Sequence, residues 1–249
     1  MNKGIKRIIF VCFLLAFNLC VFMYNDKLSN KPIIHTFSYQ EIKDNDKVNV
    51  IDYNIELNKL RKFYNNNDIV GVLSIGNTNL NEIIMQGVDN NYYLRHTVYR
   101  DYDWRGQTFL DYRVDIDNSK KIIIYGHNSE SYNLPFKVLE NYYNKEYYDS
   151  HKYIYITTGN GVNTYLIYSV YVEVSDWTYY NKMTFENDND YYKHLLTLKS
   201  KSMYETGVNV SSNDDILIIQ TCSTLEKYSN YENKFLLIVA KKVSGENYE

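Results

Sequence analysis

Cys222 ends the stretch Asp215-Ile216-Leu217-Ile218-Ile219-Gln220-Thr221-Cys222-Ser223 and is the one cysteine outside the first 20 residues. A cysteine nucleophile acts as its thiolate, and the usual source of one near neutral pH is an adjacent imidazole. Of five histidines, His35 lies near the amino-terminal apolar segment and His96, His151 and His194 among polar or amphipathic residues, and each reads as a surface or helix-face position. His127 differs, because it directly follows the apolar run Ile122–Tyr125 and Gly126. Its context matches that of Cys222: a buried strand delivering a polar, reactive residue to its carboxyl end. Two such strands side by side would bring thiol and imidazole together although 95 positions separate them. The alternative is an inert thiol buried at a strand end. There is no His/Cys/Asp/Glu cluster at metal-ligand spacing, no P-loop and no Gly-rich dinucleotide turn, so neither a metal nor a cofactor is expected.

The elements that must position this pair follow from hydrophobic patterning. Short apolar runs rich in β-branched residues predict strands buried on both faces. They occur at 69–75, 82–86, 107–111, 121–125, 153–156, 164–174, in the Cys222 segment and at 235–240, eight in all. Helical spacing predicts a helix from Ile51 to Tyr64. A second is predicted from Leu134 to Tyr143, with Asn133 as cap and Pro135 in the first turn. A third is predicted from Asp190 to Tyr204, with Tyr191, Leu195, Leu198, Tyr192, Leu196 and Met203 on one apolar face and Gly207 at its carboxyl-terminal cap. Asp89 is expected to cap a short helical turn through Leu94, and Gly159-Asn160-Gly161 a hairpin.

A chain of 249 residues is long enough for one large domain or two small ones, and 28 Tyr and 10 Phe supply much of the burial area. Residues 1–30 hold four Lys/Arg and one Asp, leaving 23 basic against 29 acidic side chains, or −6, for the remainder. A mildly acidic domain argues against nucleic acid as a partner. Lys3, Lys6 and Arg7 precede an uncharged apolar run from Ile8 to Tyr24 with no small-x-small cleavage site after it. That pattern predicts an uncleaved membrane anchor over 1–27, with later residues facing outward. A stalk is expected over 28–50, a catalytic domain over 51–243 and a loose tail over 244–249. One cysteine in an outward-facing domain cannot form an internal disulfide, so an exposed thiol there asks for a reason.

Four motifs in order carry a resemblance. They are Gln86-Gly87-x-Asp89-Asn90-x-Tyr92-Tyr93-Leu94, Phe109-x-Asp111-Tyr112-Arg113, Tyr125-Gly126-His127-Asn128, and Thr221-Cys222 after an apolar strand. Over residues 50–243 the chain resembles the sortases, the membrane-anchored cysteine transpeptidases of Gram-positive surfaces, and within them class B. The resemblance implies a mainly β fold: a closed eight-stranded barrel with an amino-terminal helical layer and a helix between strands six and seven. It implies a peptidase-class acyltransferase in which Cys222 attacks the threonine carbonyl of an Asn-Pro-x-Thr-x sorting signal on a surface protein. A thioacyl enzyme results, and an amine of lipid II or the peptidoglycan cross-bridge resolves it. His127 would be the acid/base, and Asn90, Leu94, Tyr180 and Thr221 would contact the substrate.

One departure matters. The family places an arginine at the start of the last strand, where this chain has Phe235, with Lys234 one position earlier. A one-residue slip reverses a strand's face, and lysine offers a point charge in place of a planar fork. Lys234 is the candidate substitute, a solvated strand-edge lysine the alternative. Two further functional readings stay open: a cysteine hydrolase that releases peptide to water, and a catalytically impaired, membrane-tethered binding module.

Overall fold

The computed structural model describes residues 52–174 and 177–243. The anchor, the stalk and the tail expected at 1–27, 28–50 and 244–249 lie outside the described residues. Among those described, no helix is long and apolar enough to cross a membrane. The elements are α1 (Tyr53–Tyr64), β1 (Ile69–Ile75), β2 (Asn81–Met85), β3 (Phe109–Leu110), β4 (Lys121–Tyr125), a 3-10 helix (Pro135–Tyr143), α2 (Lys145–Ser150), β5 (Tyr153–Thr158), β6 (Gly161–Glu173), α3 (Trp177–Tyr180), α4 (Asp188–Ser200), β7 (Ile216–Cys222), a 3-10 turn (Glu226–Tyr228) and β8 (Phe235–Val243).

The strands close into a barrel in the order β1-β2-β3-β4-β7-β8-β6-β5. Pairing is antiparallel except for β2 with β3 and β4 with β7. The barrel is filled by one set of side chains from the central strands, among them Ile122, Ile124, Leu217, Ile219, Leu236 and Ile238. The alternate set, Ile123, Ile216, Ile218, Leu237 and Val239, packs outward under Tyr191, Leu195 and Leu198 of α4. Residues Ile216–Ile219 are therefore buried on both faces, as an unbroken apolar run requires. At about 2 kcal/mol per buried aliphatic side chain, this double burial anchors the strand that carries Cys222.

Several local expectations are corrected. The third strand shrinks to two residues, because β3 meets β2 at one register point, Met85↔Phe109, and then turns to pair with β4. Leu134, not Asn133, is the cap of the segment after Pro135, it makes no side-chain cap bond, and the helix is 3-10. Asn144 instead caps α2 by accepting from the Glu146 N–H, and Asp52 caps α1. Helix α4 starts two residues early, at Asp188, and ends at Ser200 with Lys201 as its cap, so Gly207 belongs to the following loop. Tyr191, Leu195 and Leu198 are buried, whereas Tyr192, Leu196 and Met203 are exposed. Tyr192 and Leu196 lie about 100° around the helix from their buried neighbours, outside the stripe the sheet can cover. His194 is not a surface residue: it is 1% exposed against the sheet.

Candidate active site

The parallel ladder between β4 and β7 keeps one offset from Lys121↔Ile216 to Tyr125↔Gln220. That offset of 95 positions is the separation of His127 from Cys222, so the two stand opposite one another just past the ladder's end. Three bonds extend the register to them: Gly126 N–H donates to the Gln220 carbonyl at 3.1 Å, Thr221 Oγ1 to the Gly126 carbonyl at 2.7 Å, and Asn128 Nδ2 to the Cys222 carbonyl at 3.1 Å. Gly126 is required by packing. A Cβ there would lie 2.5–2.8 Å from three ring carbons of the buried Phe136.

His127 is half-buried, and its Nε2 lies 2.9 Å from the Leu94 carbonyl. A carbonyl only accepts, so Nε2 carries a proton and Nδ1 is the nitrogen left for proton transfer. The Leu94 carbonyl is itself held closely. Gly106, at φ +56°, packs against it so tightly that a Cβ would lie 2.5 Å from the oxygen.

Cys222 is exposed at the strand end. The protein around its sulfur still limits solvation of a thiolate, and this pushes the thiol pKa up, while the charge of Lys234 pulls it down. The antiparallel β7–β8 register sets Phe235 directly across from Cys222. Lys234 precedes it, half-exposed, and its carbonyl accepts from the Ser223 N–H at 2.9 Å. The two amides after Ser223 are also committed: Thr224 N–H to Glu140 at 2.9 Å and Leu225 N–H to Ser223 Oγ at 3.3 Å. Tyr143 holds Ser223 Oγ at 2.7 Å.

Beside this pair lies a polar hub centred on Asp111, which is fully buried. Arg113 grips its carboxylate with Nε at 2.8 Å and a guanidinium NH2 at 2.7 Å, while Tyr125 Oη (2.8 Å) and Asn90 Nδ2 (2.9 Å) also donate. Burial pushes the Asp111 pKa up, but these donors outweigh it and hold the value at about 2. Arg113 also donates to Asn181 Oδ1. Asn90 spends its other end on the Tyr112 N–H at 3.0 Å.

A family model described as the sortase domain matches residues 73–243. The chain belongs to the sortase family. It is 34% identical over 177 residues to Sortase B of Staphylococcus aureus (strain NCTC 8325 / PS 47), spanning 71% of this chain and 70% of that protein. It is 34% identical over 190 residues to Sortase B of Listeria monocytogenes, spanning 76% and 74% respectively. Sortase B of Clostridium perfringens superimposes with a TM-score of 0.67 at 28% identity, covering 75% of this chain and all of that one (100%). A Staphylococcus aureus sortase B–substrate complex gives 0.66 at 30% identity, covering 78% and 93%. The closed mixed barrel is thus that of class B.

In this sortase the residues singled out from sequence fall in two groups. Cys222, His127, Thr221, Lys234 and the Leu94 carbonyl converge on the β4–β7 end of the sheet, whereas Asn90 is spent on the hub. Tyr180 is 2% exposed and sits under the site rather than in an open groove, its ring 6.5 Å from that of Phe235. Sequence reasoning quoted Asp111 and Arg113 without a role and passed over Asn181, Glu140 and the buried pair Lys121–His194. A signal for the last was present: Lys121 is a charge opening a strand whose neighbours are apolar on both faces. Its Nζ donates to the carbonyls of Tyr180 (2.6 Å) and Lys182 (2.7 Å) and lies 2.9 Å from His194 Nε2. Burial, then the charge of Arg113, lowers Lys121 to about 7, and burial, then Lys121, holds His194 neutral at about 3. Among the described residues no group of three or more metal-ligating side chains could hold an ion.

Proposed function

We propose that this sortase transpeptidase cleaves a carboxyl-terminal sorting signal of the Asn-Pro-x-Thr-x type after threonine and transfers the protein to a cell-wall amine. The observation that carries the reading is the shared β4–β7 offset, which sets His127 and Cys222 at equivalent positions just past the end of the paired strands. Because burial raises the thiol pKa, Cys222 needs a base as it attacks, and His127 Nδ1 is the nitrogen free to take the proton. The imidazolium then protonates the leaving amine as the acyl group passes to sulfur. The incoming amine gives a proton to Nδ1 as it displaces the thiolate, and the imidazolium then passes that proton to the sulfur, which restores the thiol and the neutral imidazole. The amides of residues 223–225 are committed, and the developing oxyanion is assigned to Lys234, the cation that already acts on the thiol. One sortase B structure that carries a substrate, and another complexed with a glycine tripeptide, support a peptide donor and an amine acceptor. The basic-then-apolar segment 1–27 is read as the anchor that keeps the domain on the outer face of the membrane, where surface proteins and lipid II would meet it.

Cys222→Ala and His127→Ala should each abolish cleavage of a fluorogenic sorting peptide, and wild type should show a peptide-sized mass adduct on Cys222. Activity retained by either variant overturns the assignment. Phe235 opposite Cys222 favours one rival, a binding module that has lost turnover; wild type that binds the peptide without adduct or cleavage would establish it. Product diverted to an amide by added amine separates transfer from hydrolysis.

A further inference from the structure

Lys121 is 3% exposed on the outward face of β4, in line with Ile123, Tyr125 and His127. Burying an ammonium costs far more than burying an apolar residue of the same volume, so the position asks what the charge achieves. In the ammonium form all three of its donors are used, two on the carbonyls of Tyr180 at the end of α3 and of Lys182 just beyond it, and one on His194. His194 Nε2 accepts, which puts its proton on Nδ1, a buried atom with no partner among the described residues. The imidazole is therefore spent as a prop for Lys121.

The stretch so held begins with Tyr180. Its ring lies 6.5 Å from that of Phe235, the residue across from Cys222. The next residue, Asn181, closes on Arg113 of the Asp111 hub. Residues 181–187 have no strand partner, so between α3 and α4 their placement depends on packing and on local bonds. On the helix side Met183 and Phe185 pack against the α4 cluster, and Asp190 takes both Lys182 at 2.8 Å and the Glu186 N–H at 3.1 Å. From the sheet side the segment is held by Lys121 to two carbonyls and by the Arg113 bond.

We propose that Lys121 is a positioning residue for acyl transfer: by binding the Tyr180 and Lys182 carbonyls it fixes the segment that flanks Cys222 and so sets how the peptide donor is held there. The proposal rests on the peptide-cleaving function above, and its test separates the two. Lys121→Met keeps the volume and removes the donors. In the full chain, amide exchange measured by mass spectrometry should quicken in 178–187 and stay unchanged in β8. The KM for the sorting peptide should rise about tenfold with little change in kcat, the expectation when charge-assisted bonds that hold a binding segment are lost. Alkylation of Cys222 by iodoacetamide should keep its wild-type rate, because Cys222, His127 and Lys234 are untouched. Lys121→Gln, which retains an N–H donor, should fall between the two proteins in exchange and KM, and it carries the comparison if Lys121→Met fails to fold. Exchange and KM equal to wild type, or a fall in kcat with altered alkylation at unchanged KM, overturns the proposal. If wild type cleaves no peptide, the functional reading fails while the exchange experiment still decides the tether.

Discussion

Asp111→Asn probes the hub that joins the loop carrying Asn90, the end of β4 and the segment carrying Asn181. Asparagine keeps the shape but turns an N–H2 toward donors that need a lone pair. Breaking a buried Arg–carboxylate pair costs about 3–5 kcal/mol. Arg113 is 33% exposed and can turn to water, so the loss at neutral pH should sit near ~3 kcal/mol, the lower end of that range. Part of it depends on pH with a defined sign. The folded carboxyl is held at about 2 against an ordinary 3.8, so the folded state sheds its proton more readily than the unfolded chain. The associated stability is complete above about pH 5, falls as pH drops through 3.8, and is lost below about 2. At ~1.36 kcal/mol per pH unit that contribution is about 2 kcal/mol. Urea unfolding of wild type and variant at about pH 6 and about pH 2 should show the gap between them shrinking by about 2 kcal/mol at the acid end. Other carboxylates titrate in both proteins and cancel in the difference. A gap that stays constant across that range would refute the claim that Asp111 is ionised and gripped in the folded state.

Two further outcomes are expected. Lys234→Met should raise the Cys222 thiol pKa, slow iodoacetamide alkylation at about pH 7, and lower kcat/KM for the sorting peptide about 100-fold, the scale of losing one oxyanion donor; unchanged alkylation and turnover would reduce Lys234 to a solvated edge residue. Gly126→Ala must push Phe136 aside and should cost about 1–3 kcal/mol, seen as a Tm lower by about 5 °C, whereas an unchanged Tm would show that the Phe136 ring yields freely.

The strands were legible where burial on both faces left an unbroken β-branched run. The bounds of β1 and β4 follow directly from Ile69–Ile75 and Lys121–Tyr125. The constant β4–β7 offset was implicit in the spacing of His127 and Cys222, because strand ends of the same type align when their strands pair. What the sequence could not display is partnership across the chain. His194 looks like an amphipathic-helix residue until Lys121 is beneath it, and Tyr180 looks like a loop residue until Phe235 and the Lys121 bond bury it. Local hydrogen-bond choices were equally hidden: Asn133 has the right chemistry for a cap, but Pro135 starts the helix with Leu134 in the capping place. The Phe235–Lys234 slip could be read from sequence as a discrepancy, and only the β8 register turns it into an aromatic residue paired across from the thiol.

The pairing of β4 with β7 also dictates when this chain can become reactive. Parallel neighbours cannot be joined by a tight turn, and here the linking segment contains β5, β6 and α4. Closing so long a loop is entropically slow and comes before any contact rewards it. Neither half of the chain can supply Cys222 with its imidazole alone. The reactivity of Cys222 should therefore depart from that of a free cysteine only as the barrel closes, later than helix formation, so the change in the rate at which a small alkylating reagent finds this cysteine during refolding reports completion of the native topology.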